Sequence, residues 1–156
     1  MKRILIVTLI LMSAFTAFSK NDKEKADSIQ KLIEDKSFVF VAQSALPLRG
    51  SFISLTPPYD LKVAKDTIEA YLPYFGRAYS GVFPGNDNGI KFTSTKNTYK
   101  VEKNKHGWDV TIKPEDIQYG IELYFTISEN GYAMLRVSDN RRDPITFNGY
   151  VVKEKE

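Results

Sequence analysis

Alternation between apolar and polar side chains constrains the fold of this chain more than any other feature. From Phe38 onward the chain is divided into short stretches in which apolar residues occupy every second position or form a continuous run of strand length. A period of two is that of a β-strand with one buried and one solvated face, which is typical of antiparallel sheets. The clearest stretch covers residues 119–128, and the others cover 38–42, 59–64, 67–72, 90–93, 98–102, 108–113, 133–137 and 145–151.

The turns between these stretches favour a meander of sequential neighbours. Asn130-Gly131 is the dipeptide that best supplies the two positive φ angles of a type I′ hairpin turn, so it predicts that strands 119–128 and 132–138 pair. The segment 104–107 predicts a second hairpin, and Lys65-Asp66 predicts a third.

About nine strands with one apolar face each must bury that face. A sheet closed into a barrel and a sandwich of two sheets are the two architectures that do so. We predict a mainly β fold, an antiparallel meander closed as a lipocalin-like β-barrel, in a single domain over residues 37–153. The two-sheet sandwich is the alternative.

A short amphipathic helix is expected before the first strand, over residues 20–36. The chain is polar here, and its apolar residues Ala26, Ile29, Leu32 and Ile33 are spaced for one helical face. Asp22 is a suitable N-cap residue. The alternative is a frayed linker.

Residues 1–19 have the pattern of a secretory signal peptide. Lys2 and Arg3 precede an apolar run at 4–12, and the small residues Ala17 and Ser19 suit a cleavage site. The apolar run is short for a bilayer core, which needs about 20 residues. We therefore expect export, with cleavage after Ser19 and no integral membrane span afterwards; the alternative is a retained membrane anchor.

Composition excludes several functional classes. The 156-residue chain has no cysteine, so thiol nucleophiles, zinc thiolates and iron–sulfur sites are impossible. Its one histidine, His106, lies in a predicted turn, which indicates a solvated side chain and not a catalytic one. The net charge of +3 falls by two when Lys2 and Arg3 are removed, so no electrostatic footprint for nucleic acid remains. We expect neither catalytic residues nor a metal nor a cofactor.

Residues 73–79 carry more aromatic and charged side chains than the packing of a strand requires. Tyr74, Phe75, Arg77 and Tyr79 offer aromatic faces and a guanidinium to a flat or anionic ligand. The alternation of the preceding strand predicts that Tyr74 points inward and that Phe75 and Arg77 lie on the other face or the rim. The alternative is that the aromatic residues plug one end of the barrel and Arg77 pairs with a nearby acid.

A second basic loop is formed by Arg141 and Arg142, just before Asp143-Pro144. If this loop and the 73–79 segment open at the same rim, they form one ligand-binding mouth. The candidate ligand-binding residues are therefore Tyr74, Phe75, Arg77, Tyr79, Arg141 and Arg142.

Five motifs in a fixed order resemble a known family. They occupy residues 38–43, 71–79, 89–94, 128–133 and 147–150, and the resemblance spans roughly 30–152. The chain resembles the family called domain of unknown function 4251, secreted proteins of Bacteroidetes-type bacteria. The resemblance implies a lipocalin-like β-barrel and export to the periplasm or cell envelope of a Gram-negative bacterium, and it carries over no catalytic residues.

Two classes of function follow from the sequence. The leading hypothesis is a secreted, non-enzymatic β-barrel that binds a small apolar or amphipathic molecule, or a peptide, in its interior or mouth. The alternative is a structural or protein-interaction module of the cell envelope with a filled barrel. A hydrolase is a third and weaker hypothesis. The packing of the aromatic side chains in the interior distinguishes the first two, because small barrels either hold one ligand or are filled by side chains.

Overall fold

The structure is a computed structural model that describes residues 23–56, 58–79 and 89–154. The predicted signal peptide and Asp22 lie outside the described residues. A helix, α1, covers 23–34. Ten strands follow it: β1 (Ser37–Pro47), β2 (Ile53–Ser54), β3 (Asp60–Ala64), β4 (Thr67–Leu72), β5 (Ile90–Ser94), β6 (Asn97–Asn104), β7 (Gly107–Pro114), β8 (Glu122–Ser128), β9 (Tyr132–Asp139) and β10 (Arg142–Val152).

The strands form one antiparallel sheet in the order β5-β4-β3-β1-β10-β9-β8-β7-β6, with the short β2 paired to β1. Neighbours in the sheet are mostly neighbours in sequence, as in a meander, and β1 pairs with β10 as the first and last strands of an up-and-down barrel do. The sheet curls into a half-barrel. The pairing between β5 and β6 that a closed barrel requires is not among the ladders of the described strands.

Two of the three predicted hairpins occur as expected. β3 pairs with β4 across Lys65-Asp66, and β6 pairs with β7 across residues 105–106. Lys65 takes a positive φ of 53° in the first of these turns.

The third hairpin joins β8 and β9, as predicted, but its turn is not type I′. Gly131 has a φ of 85°, whereas Asn130 is not among the described residues of positive φ. Gly131 N donates to Ser128 O (2.8 Å), so a three-residue loop forms in which a left-handed glycine follows a type I turn. The prediction of a strand from Tyr119 was also too long. Gly120 has a φ of 62° and belongs to a turn, so β8 begins at Glu122.

The alternating apolar residues form a single core on the inner face of the half-barrel. Phe38 and Phe40 of β1 contact the ring of Phe125 on β8, with ring centroids 5.8 and 5.6 Å apart and nearly perpendicular planes. β10 and β9 separate β1 from β8 in the sheet, so these contacts cross the interior. The fully buried large side chains also include Phe147, Ile33, Leu61, Ile68, Leu72, Ile90, Ile112, Ile121 and Leu123.

Helix α1 closes one end of the half-barrel. Its apolar residues Ile29 and Ile33 are buried in the core, as its periodicity predicts, and the hydroxyl of Tyr99 on β6 donates to Ile33 O (2.9 Å). The helix ends before the predicted Lys36, because that residue takes a φ of 50° and turns the chain into β1. Within the described residues, no helix is long and apolar enough to cross a membrane.

Replacing Gly131 by alanine tests the contact between the helix and the sheet. A Cβ at Gly131 would lie 3.1 Å from Ile29 Cδ1, and the left-handed backbone alone costs a non-glycine residue about 1 kcal/mol. We expect Gly131→Ala to lower the free energy of unfolding by more than 1 kcal/mol. Gly120→Ala is the control for the left-handed backbone, because its Cβ would lie 2.7 Å from Asn140 Nδ2, the end of an exposed side chain that can rotate away. Urea denaturation of both variants measures the difference, and equal losses would contradict the packing of Ile29 on the loop.

Candidate functional site

The two segments that carry the predicted ligand-binding residues lie side by side at the end of the half-barrel opposite the helix. Residues 77–79 run antiparallel to 141–143, with a bridge between Ala78 and Arg142. Tyr79 N donates to Arg141 O (2.7 Å), and Asp143 N donates to Arg77 O (2.9 Å). We call the segments 73–79 and 139–143 together the rim cluster. The structure therefore brings all six candidate residues to one place.

Tyr74 ties the cluster to the core. β4 ends at Leu72, and Pro73 cannot donate to a ladder, so the chain leaves the sheet here. The Tyr74 ring packs against the core, inward as the alternation predicts, and its hydroxyl lies 2.9 Å from the carbonyl oxygens of both Arg77 and Asp143. Burial raises the pKa of Tyr74 to about 12, although the nearby Arg142 opposes this shift. The hydroxyl is therefore a fixed hydrogen-bond donor at neutral pH.

Gly76 is required by the position of that ring. A Cβ at Gly76 would lie 2.6 Å from Tyr74 Cζ, well inside van der Waals contact. The tyrosine ring therefore lies directly against the backbone of a residue that has no side chain, and the hydrogen bonds of Tyr74 depend on this approach.

The two arginines of the second segment are engaged within the protein. Arg142 Nε lies 2.8 Å from Asp139 Oδ2, and their side chains are only 10% and 2% exposed. The Arg142 guanidinium also lies 4.8 Å from the centre of the Tyr74 ring. The Arg141 guanidinium stacks 3.4 Å from the centre of the Tyr119 ring and lies 3.8 Å from Asp139. These contacts hold both cations in place, which is the arrangement of a structural closure.

The remaining candidate residues are exposed. Phe75 and Tyr79 are 39% and 63% exposed, and the Tyr79 hydroxyl donates to the carboxylate of Asp143. This hydrogen bond raises the pKa of Tyr79. The Arg77 side chain is also exposed and makes no ion pair with another described residue. A ligand-binding role for these six residues stays a prediction.

No cluster of three or more histidine, aspartate and glutamate side chains that could hold a metal ion is found in the described ranges. His106 lies in the exposed β6–β7 turn, where its backbone N–H donates to the side chain of Asn104 (2.9 Å). Among the described residues, neither a metal-binding cluster nor His106 provides a second candidate site.

A second surface, which the sequence did not predict, lies on the outer face of the sheet. It is an open groove of about 520 Å³ between the β1–β2 connection and strands β9 and β10. Phe52 and Tyr132, 61% and 63% exposed, line it together with Met134. The amides of Gln43 and Asn148 also line it, and every described lining residue is uncharged. We call this surface the outer groove.

A β-bulge shapes the outer groove. The register between β1 and β10 shifts between Ala42 and Ser44, so Gln43 is the extra residue. The facing Gly149 allows the two backbones to approach closely, since a Cβ there would lie 2.9 Å from Val41 C. A bulge re-aims a side chain, here that of Gln43, whose amide lines the groove. Gly149 within a strand pattern was the available sequence signal.

Fold and surfaces together define a small, mainly β domain whose antiparallel half-barrel is closed by a helix at one end and by the rim cluster at the other. The chain belongs to the family described as Domain of unknown function (DUF4251), whose model matches residues 20–151. This confirms the resemblance seen in the sequence.

A solved structure agrees with this assignment. The crystal structure of a DUF4251 family protein from Bacteroides eggerthii DSM 20697 is similar to this chain, with a TM-score of 0.61 and 16% sequence identity, over 83% of this chain and 87% of that one. At this identity the likeness shows the fold alone. No curated protein matches the chain.

The two arginines Arg142 and Arg77 should differ sharply in their contribution to stability. Arg142→Ala removes the close partner of a buried carboxylate. We expect the free energy of unfolding to fall by about 3 kcal/mol, the low end of the range for a broken buried ion pair, because Arg141 remains near Asp139. Arg77→Ala changes an exposed side chain and should alter stability by less than about 0.5 kcal/mol. Thermal melts of both variants beside the wild type check this, and a large loss in Arg77→Ala would contradict the geometry of the rim cluster.

Alkaline pH should weaken the contribution of Tyr74. Its folded-state pKa of about 12 exceeds the unfolded value of about 10, so its stabilisation is complete below pH 10 and is lost as pH rises towards 12. The stability difference between the wild type and Tyr74→Phe, measured by urea denaturation, should therefore be larger at pH 9 than at pH 11. Tyr132→Phe, at an exposed tyrosine outside the rim cluster, is the control for the chemical change. A difference for Tyr74→Phe that does not vary with pH would refute this explanation.

Proposed function

We propose that this protein is an exported, non-catalytic interaction module of the bacterial cell envelope that binds a partner protein on its outer face. Export rests on the signal-peptide pattern of residues 1–19. The single observation that carries the proposal is the contact of Phe125 with Phe38 and Phe40 across the interior. It supports the filled-barrel alternative over a carrier that holds a ligand inside, because side chains occupy the space that such a ligand would need.

The composition of the outer groove supports a protein partner. Tyrosine, phenylalanine and methionine are enriched in the cores of protein interfaces, and charged residues are depleted there. Phe52, Tyr132 and Met134 supply the first group, and the described lining contains no charged residue. Methionine also adapts its shape to a partner, which suits a contact made on an open surface.

The chemistry of the groove specifies the kind of segment that it accepts. The side-chain amides of Gln43 and Asn148 each offer both donors and acceptors, which suits the backbone of an extended segment. The exposed rings of Phe52 and Tyr132 suit contact with an apolar side chain of that segment. An uncharged segment is favoured, because nothing in the groove compensates the desolvation of a charge. We therefore assign the outer groove to an uncharged, apolar segment of a partner protein.

The experiment begins with chemical crosslinking in the native host and mass-spectrometric identification of the crosslinked protein. The identified partner is then purified, and its dissociation constant for the wild-type protein is measured in a binary assay. We expect Tyr132→Ala and Phe52→Ala each to raise this constant at least tenfold, as central aromatic residues of interfaces do. Tyr124→Ala is the matched control, since Tyr124 is an exposed tyrosine of the same hairpin outside the groove. It should change the constant less than twofold.

Two results would contradict the proposal. One is a partner whose affinity does not respond to either groove substitution, which would place the contact elsewhere. The other is a stoichiometric small molecule retained by the wild-type protein in native mass spectrometry, which would favour the carrier. In that case Arg77→Ala, which leaves the fold intact, should release the molecule if the rim cluster is the binding mouth.

A further inference from the structure

Among the described strands, β6 (Asn97–Asn104) lies at an edge of the sheet. Among the described strands it pairs only with β7, and β5, the strand before it in sequence, pairs only with β4. Residues 100–103 of β6 are all exposed. An edge strand presents a row of unpaired backbone groups, which is a template for pairing with another chain.

The ladder between β6 and β7 fixes which backbone groups are available. Glu115 N donates to Lys96 O (2.8 Å), and the same register pairs Lys100 with Thr111. Residues of an antiparallel strand direct their backbone groups alternately to one side and the other. Lys96, Lys100 and the other even-numbered residues of β6 therefore bond to β7, and Tyr99, Val101 and Lys103 direct their N–H and C=O groups to the open edge.

Some side chains along this edge also lack burial or an ionic partner among the described residues. Val101 lies on the inner face, yet it is 39% exposed, whereas its neighbour in the ladder, Val110, is fully buried. On the outer face, Lys100 and Glu102 make no ion pair with any other described residue. The edge thus carries an exposed apolar side chain between two free charges of opposite sign.

We propose that two copies of this chain associate by antiparallel pairing of their β6 strands, around a two-fold axis at Val101. This register places Lys100 opposite Glu102 of the second copy, and the symmetry repeats the pair. Val101 packs on Val101 of the second copy, and Tyr99 lies opposite Lys103 of the second copy. Val101, Tyr99 and Lys103 all direct their backbone groups outward, so the ladder forms hydrogen bonds at each of them. The interface is isologous, as in most homodimers.

The charges specify this register against its neighbours. Moving the axis by one residue, to Lys100 or to Glu102, places two identical charges directly opposite each other, and moving it to Lys103 does the same. Lysines on an edge strand discourage indiscriminate pairing. Only the register centred on Val101 places each Lys100 opposite Glu102 of the other copy. It also leaves no pair of like charges at the two-fold axis.

Charge reversal tests the register. The purified wild-type protein should show a monomer–dimer equilibrium in sedimentation velocity over a concentration series at low salt. Lys100→Glu and Glu102→Lys each turn two attractive pairs into two repulsive ones and should raise the dimer dissociation constant at least about tenfold. The double variant Lys100→Glu/Glu102→Lys restores opposite charges at both positions and should restore the wild-type constant. Glu129→Lys, at an exposed position outside β6, should leave it unchanged.

Removal of one backbone donor tests the ladder independently of charge. Val101→Pro deletes an N–H that points to the open edge and not to β7, so the monomer should fold and the dimer should be lost. Val101→Thr keeps the N–H and a β-branched side chain, and it should keep the dimer. Circular dichroism verifies the fold of each variant. A protein that is monomeric at every concentration, or a dimer that tolerates both Val101→Pro and the single charge reversals, would overturn the proposal, whatever the outer groove binds.

Discussion

The ring of Phe125 meets two rings of β1 edge-on, and the shape of the half-barrel depends on this contact. Edge-to-face aromatic pairs contribute about 0.5–1.5 kcal/mol beyond the area that they bury. Because two strands separate β1 from β8, Phe38 and Phe40 reach Phe125 only when the sheet curls. The same contact therefore curves the sheet and fills its interior, and specific recognition is left to the outer face and the edges.

Both ends of the filled core are closed, but by different chemistry. At one end the helix supplies Ile29 and Ile33, so closure there is apolar. At the other end Asp139 accepts a hydrogen bond from the backbone N–H of Arg141 (2.7 Å) and pairs with the Arg142 side chain. A buried carboxylate is tolerable because this hydrogen bond and the ion pair compensate its charge. The polar end therefore depends on ionic partners, and the helix end depends on the fit of its apolar side chains.

Local features of the chain were predictable from the sequence, because they depend on neighbouring residues. Alternation gave the strands, Gly131 marked a left-handed turn, and the spacing of Ile29 and Ile33 gave the helix. The extent of β8 was overestimated, since alternation continues through Gly120 although the backbone does not. The half-barrel, the bulge at Gln43 and the meeting of the two rim segments depend on pairing between distant residues, which periodicity does not encode. The composition of the two segments identified the six candidate residues, but their contacts within the protein could not be predicted from it.

The pairing of β1 with β10 has a consequence for the order in which the molecule is completed. Sheet order follows chain order if it is read from β6 to β10 and then from β1 to β5, so one ladder, in which Val39 faces Val152, joins an early part of the chain to a late one. The hairpins on either side can form as each is synthesised. The two halves have no common sheet until residues 142–152 are available, and contacts at such long sequence separation form slowly. The two parts of the sheet therefore stay unjoined until the last described strand has been made.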